Sequence, residues 1–326
     1  MKAIVYERYG SPDVLELKEV EKPTPKDYEV LVKIYAASIN SWDFDLLRGV
    51  PFLNRLFGGL LKPKHKILGA DVAGRVEAVG KDVKILKVGD EVYGDLCKSG
   101  WGAFAEYVSA PEDALAKKPA GLTFEEAAAV PQAAVIALQG FQDKGQVYEG
   151  QKVLINGAGG GAGTFSVQLA KLFGAKVTGV DSVGKLDTMR SIGADAVIDY
   201  TKVDYTKTGE RYDLIIDHAA YHSISDYRRV LNPKGIFTLV GGSTVLVFKT
   251  IFFGLLISMV SNKKMGVQIY KPKKKDLDFL REKLETGKLK PVIDKTYPLN
   301  ETSKALRYFG TGDVKGKLVI TIGNDF

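Results

Sequence analysis

Lys152-Val153-Leu154-Ile155-Asn156-Gly157-Ala158-Gly159-Gly160-Gly161-Ala162-Gly163 is the stretch on which the reading of this chain turns. A short apolar run ends at Asn156, and Gly157, Gly160 and Gly163 follow at three-residue spacing before a helical pattern over Phe165–Phe173. Missing side chains at that spacing let a backbone turn tightly and bring an anion against a helix N-terminus, where unpaired N–H groups and the helix dipole favour negative charge. The glycines alone are weak evidence; their strand–turn–helix setting is what identifies a dinucleotide-binding loop.

Outward from the loop, strand-like runs alternate with helical ones: Lys176–Val180, Lys185–Ile192, Ala196–Asp199, Leu214–Asp217 and Ile236–Val240. Near-continuous apolar strands belong to a parallel sheet covered on both faces, which predicts a doubly wound α/β domain over 123–267. Before it, runs such as Val30–Ile34, Val72–Gly80 and Gly89–Gly94 are short and punctuated by Gly and Pro, as in a mostly antiparallel, barrel-like domain. That domain is expected over 1–122, with the C-terminal part 268–326 returning to it. Helical patterning runs from Thr123 to Phe141, with Thr123 and Glu126 spaced as a capping box.

The chain has 326 residues, 45% hydrophobic and 26% charged, which excludes disordered and fibrous classes. A lone cysteine, Cys97, excludes an internal disulfide and a cysteine-based metal cluster and fits a reducing compartment. Charges at Glu7 and Arg8 interrupt the run a signal peptide would need, so a cytoplasmic protein is expected. The net charge of +7 favours anionic partners. Lys271-Pro272-Lys273-Lys274-Lys275 has no interleaved aromatics and reads as a solvated face, so no nucleic acid is expected. The apolar segment Thr244–Val260 is shorter than the about 20 residues a spanning helix needs. Lys249 and Gly254 interrupt it, so it reads as a helix lining a substrate mouth or buried in a subunit interface, with transient peripheral membrane contact as the lesser reading.

Asp181, eighteen residues after Gly163, stands where an acid meets an adenosine ribose, which favours NAD. Lys185 could pair with a 2′-phosphate, which favours NADP, and the local spacing leaves both open. His218 and His222 are four apart, but His218 follows a strand and no third ligand stands at familiar spacing, so no metal site is expected. No G-x-S-x-G elbow supports a hydrolase.

Several motifs in order, Met1-Lys2-Ala3, Gly69-Ala70-Asp71-Val72-Ala73-Gly74, Val88–Gly94, Gly102–Tyr107, the glycine loop, Gly193–Tyr200 and Lys315-Gly316-Lys317, resemble the medium-chain dehydrogenase/reductases. Within them the chain is similar to the zinc-independent quinone and enone reductases related to zeta-crystallin. The resemblance covers essentially the whole chain and implies a GroES-like domain beside a Rossmann domain.

It also implies that both zinc sites of metal-dependent members are lost. Asn40, Ala70-Asp71 and Gln132 stand where those members place ligands. By the same likeness Lys185 and Tyr200 would hold the 2′-phosphate of NADPH, while Asp181 keeps NADH possible. Gly157, Gly160, Gly161, Ala162, Gly163, Ser182, His218, Gly241 and Gly242 would complete the cofactor site. The implied reaction is hydride transfer from NADPH to a quinone or enone in the interdomain cleft of a homodimer. Asn40 is expected to stabilise charge on the substrate oxygen, Asp43 to order Asn40, and Gln132 to shape the cleft. Asp45 replaces the tyrosine or lysine of many relatives, leaving the proton donor open. The alternatives are an alcohol dehydrogenase of the same superfamily and a non-enzymatic NADPH- or RNA-binding protein.

Overall fold

Val153, Leu154 and Ile155 form the middle of the strand Lys152–Asn156, completely withdrawn from solvent because parallel strands flank it on both sides. The computed structural model describes residues 1–142 and 147–323. Six parallel strands run in the order Ala196–Asp199, Lys176–Asp181, Lys152–Asn156, Tyr212–Asp217, Leu231–Leu239, Lys264–Val267. In chain order that is 3-2-1-4-5-6, the doubly wound arrangement, with its switch point between Lys152–Asn156 and Tyr212–Asp217. The helix after the glycine loop spans Gly161–Leu172 and starts four residues before the apolar pattern suggests, because its first turn is built from residues of poor helix propensity. The strand Lys264–Val267 and the helix Ile224–Val230, capped by Ser223, carry no clear periodic signal.

The second sheet has seven strands, built around Glu29–Ser38, which pairs antiparallel with Asp71–Val79, Tyr107–Pro111 and Lys317–Thr321. The strand Ile293–Pro298 runs parallel to Lys317–Thr321. Its core gathers Ile34, Ile39, Leu47, Leu68, Leu96 and Phe104, all essentially inaccessible to solvent.

The chain divides into one unit of 1–135 with 272–326 and another of 136–271. These boundaries lie past the expected 122 and 267. Residues 124–135 belong to the β-rich unit because Phe124 stacks on Tyr35, with centroids 4.6 Å apart, and because the Gln132 N–H bonds Asp71. The helical pattern over Thr123–Phe141 is two helices, Phe124–Ala128 and Pro131–Gln142, since a proline has no N–H to continue a helix and is best placed at its start. Thr123 and Glu126 form the reciprocal capping bonds at 3.1 and 2.9 Å.

Candidate active site

Strand pairing places Ser38 opposite Asp71, and it brings Lys317, at the start of the C-terminal strand, beneath the turn at Ile39-Asn40. Four donors converge on the fully buried Asp71 carboxylate. Oδ2 accepts the Ser38 hydroxyl at 2.8 Å, the Asn40 amide at 2.9 Å and the Lys317 ammonium at 3.4 Å, while Oδ1 accepts the Gln132 N–H at 3.0 Å. Lys317 also donates to the Ile39 carbonyl at 3.1 Å and to Oδ1 of Asn40. Asn40 is therefore held by its oxygen to a cation and by its nitrogen to an anion, which fixes the orientation of its amide. Burial pushes the Lys317 ammonium pKa down, against the pull of Asp71 and Asp43.

Asp43 lies inside the first turn of the helix Ser41–Arg48 and is fully buried. Its two oxygens accept the backbone N–H groups of Asn40, at 2.9 Å, and Gly69, at 3.0 Å, so it ties the Asn40 turn to the segment before Asp71. Burial pushes its carboxyl up to about 7, with Asp71 adding to the rise and the two N–H donors opposing it. Gln132 is buried like Asn40, but its Nε2 has no hydrogen-bond partner among the described residues. Buried amides are normally satisfied, so this donor is available to a bound group.

The residues present do not fit zinc. Asn40, Ala70 and Gln132 offer neither thiolate nor imidazole, and Asp71 is surrounded by donors that include a cation. Among the described residues no three His, Cys, Asp or Glu side chains gather as a metal site. Cys97 is buried and its thiol pKa is pushed up by burial, then by Asp95.

In the other unit the residues fit a dinucleotide. Gly157 has φ +75°, and a Cβ on Gly163 would fall 2.0 Å from the Gly157 carbonyl oxygen, so the turn admits glycine alone at both places. Gly160 caps the helix, and Gly161 and Ala162 begin a first turn whose N–H groups have no intrahelical acceptors. At the switch point the Asn156 amide bonds Asp217 at 2.8 Å, and Gly241 lies so close that a Cβ there would meet the His218 carbonyl oxygen at 2.3 Å. Gly242 bridges Ala220 beside it.

Asp181 and Lys185 form a pair with 3.4 Å between Oδ1 and Nζ. The other Asp181 oxygen accepts the Gly159 N–H at 2.9 Å, and Oδ1 also accepts the Ser182 N–H at 2.8 Å. The Lys185 stem lies across Gly159, where a Cβ would meet it at 2.6 Å. Tyr200 is exposed at the end of the next strand and bonded by its backbone N–H to the Asp181 carbonyl at 3.2 Å. His218 shares a 2.8 Å hydrogen bond with Ser166, and burial pushes its ring down to about 4, so it is neutral. His222 occupies a loop, as does His218, and the two share no helical face.

Ser38 and Lys317 are site residues to which motif reading gave no role, and Asp71 was named only as standing where metal-dependent members place a ligand. The signal for Asp71 and Lys317 was a charged residue opening an apolar strand, Asp71 before Val72-Ala73 and Lys317 before Leu318-Val319-Ile320.

Two family models match, an alcohol dehydrogenase GroES-like domain over residues 26–120 and a zinc-binding dehydrogenase over 192–320. The tomato 2-methylene-furan-3-one reductase is 37% identical, over 98% of this chain and 79% of the relative. An Arabidopsis thaliana NADPH-dependent alkenal/one oxidoreductase, chloroplastic, is 33% identical over the same shares. The solved quinone oxidoreductase of Coxiella burnetii superposes with a TM-score of 0.88 at 28% identity, covering 99% of each chain. With a six-stranded dinucleotide-binding sheet, a GroES-like partner unit and relatives of this closeness over nearly the whole length, the chain belongs to the quinone oxidoreductase family of medium-chain dehydrogenase/reductases and is an NAD(P)H-dependent oxidoreductase.

Proposed function

We propose that the protein is an NADPH-dependent, zinc-independent reductase that passes hydride to a quinone or to the β-carbon of an α,β-unsaturated carbonyl. The observation that carries this reading is the state of the Asp71 carboxylate, which is already filled by Lys317, Asn40, Ser38 and the Gln132 N–H where a metal would need lone pairs. Bound nicotinamide supplies the hydride. The chain must then hold the substrate oxygen and stabilise the charge that develops on it. Gln132 Nε2 has no other partner among the described residues, and the second Nδ2 hydrogen of Asn40 stands on the same network.

Neutral amides suit delocalised charge. Hydride reaching an enone or quinone spreads charge into an enolate or hydroquinone anion, whereas an unactivated ketone would place a full alkoxide on the same few donors. The preference for NADPH rests on Lys185 and Tyr200 at the end of the adenosine-binding strands, with the Asp181 charge neutralised by its lysine. The reading takes the protein as cytoplasmic and homodimeric.

Turnover tests the reaction class. With NADPH the protein should reduce water-soluble quinones and short enones and oxidise simple alcohols slowly or not at all. Rapid metal-free alcohol oxidation, with no quinone or enone turnover, would overturn the reading.

A further inference from the structure

The helix Thr244–Val260 has no acidic residue and is apolar around its whole circumference, yet only Leu246, Thr250 and Gly254 are buried. That single i, i+4 stripe packs on the sheet edge, where Gly254 lies so close that a Cβ would meet the Met265 carbonyl oxygen at 2.7 Å. Phe248, Phe252, Leu255, Met259 and Val260 point outward, from 61% to 82% exposed. A helix apolar on all sides is ordinarily buried, so an uncovered one marks an interaction surface.

The charges around it choose the partner. A pocket of about 570 Å³ beside the helix is lined by Phe253 and Ile257 together with Arg211, Arg228, Arg229 and Lys263, and by no carboxylate. Lys249 on the helix and Lys264 just after it are exposed as well. Among the described residues Arg229 alone of this group has an acidic partner, Asp226 at 2.7 Å, while the Lys263 ammonium donates to the Arg228 carbonyl at 2.7 Å. Two copies meeting through this face would bring these cations together, offset among the described residues only by Asp226 beside Arg229. No helix among the described residues is long and apolar enough to cross a membrane.

We infer that this helix docks the protein on the surface of an anionic phospholipid bilayer, with Phe248, Phe252, Leu255 and Met259 entering the acyl boundary and Arg228, Lys249, Lys263 and Lys264 meeting the headgroup phosphates. Apolar burial and attraction to anionic lipid are the two forces that hold interfacial helices, and the lysine stems can reach past apolar surface to the headgroups. The mode is peripheral: the helix lies along the surface.

Flotation of the full chain with vesicles of phosphatidylcholine, with and without phosphatidylglycerol, tests this. The protein should float with the anionic vesicles at low salt, be released as salt rises, and stay behind with neutral ones. Each surface cation contributes on the order of fivefold in partition, so Lys249→Gln with Lys264→Gln should lower binding about thirtyfold. Phe252→Asp with Met259→Asp should abolish it, while circular dichroism and turnover of a soluble quinone stay at the parent level. Absence of flotation with anionic vesicles, equal flotation with neutral ones, or a dimer that only the Phe252/Met259 variant dissolves would overturn the inference, the last by assigning the face to a second copy.

Discussion

Lys185 and Asp181 neutralise each other at the end of the second strand of the dinucleotide-binding sheet, Nζ 3.4 Å from Oδ1 and both side chains about nine-tenths buried. Sequence spacing set the two residues against each other as rival signals for NADPH and NADH. In the fold they act jointly: the carboxylate fixes the glycine loop through the Gly159 N–H, and the lysine cancels the charge that would repel a 2′-phosphate.

Lys185→Ala therefore has a double effect on NADPH. On the proposed NADPH reading it removes one charge-assisted bond to the 2′-phosphate, worth roughly 1.5–3 kcal/mol, and leaves Asp181 unpaired against that phosphate. NADPH affinity should fall about ten- to a hundredfold or more in a fluorescence titration, with NADH affinity little changed. Tighter NADH than NADPH binding in the unaltered protein would assign the choice to Asp181 instead.

The polar network around Asp71 predicts different outcomes for neighbouring residues. Gln132→Ala should lower kcat about a hundredfold with the NADPH dissociation constant unchanged, because it deletes a donor that the folded chain leaves unpaired. Asn40→Ala should also lower kcat, and in addition strip partners from Lys317 and Asp71. Lys317→Met leaves a buried carboxylate without its cation, so a stability loss of about 3–5 kcal/mol is expected in denaturant titration. A Gln132→Ala protein with full turnover would remove that side chain from the chemistry.

The zinc prediction follows from the same carboxylate. Metal analysis of the purified protein should find no stoichiometric zinc, and prolonged chelation should leave quinone turnover intact. One tightly held equivalent would mean that Lys317 and Asn40 rearrange to free Asp71 for a metal.

Much of this was legible beforehand, for identifiable reasons. The glycine loop announces itself because close backbone approach tolerates no Cβ, and the apolar segment Thr244–Val260 coincides with a helix that Ser243 caps in the fold. The Asp71 network was not legible, since Ser38, Asp71 and Lys317 are far apart in the chain and meet only through strand register. Whether Asn40 or Gln132 keeps a free donor depends on which partners the fold brings to each amide. Spacing contains no record of that.

Asp43 supplies a pH test. Its carboxyl has an ordinary pKa of 3.8 and is raised to about 7 in the fold, mainly by burial. Folding thus favours the protonated form, so this group's contribution to stability is complete below about pH 4 and is lost as pH rises through about 7. Asp217, pushed up to about 6 by burial, acts in the same direction, so the parent protein alone cannot isolate Asp43. The difference between parent and Asp43→Ser can. Serine retains an acceptor for the Asn40 N–H at the helix start but does not titrate, so the variant should be destabilised by an amount that shrinks as pH is raised from 4 to 7. Urea midpoints measured across that window check it, with the expected convergence on the order of a few kcal/mol. Parallel curves would mean that the bonds from Asn40 and Gly69 outweigh burial and keep Asp43 ionised throughout.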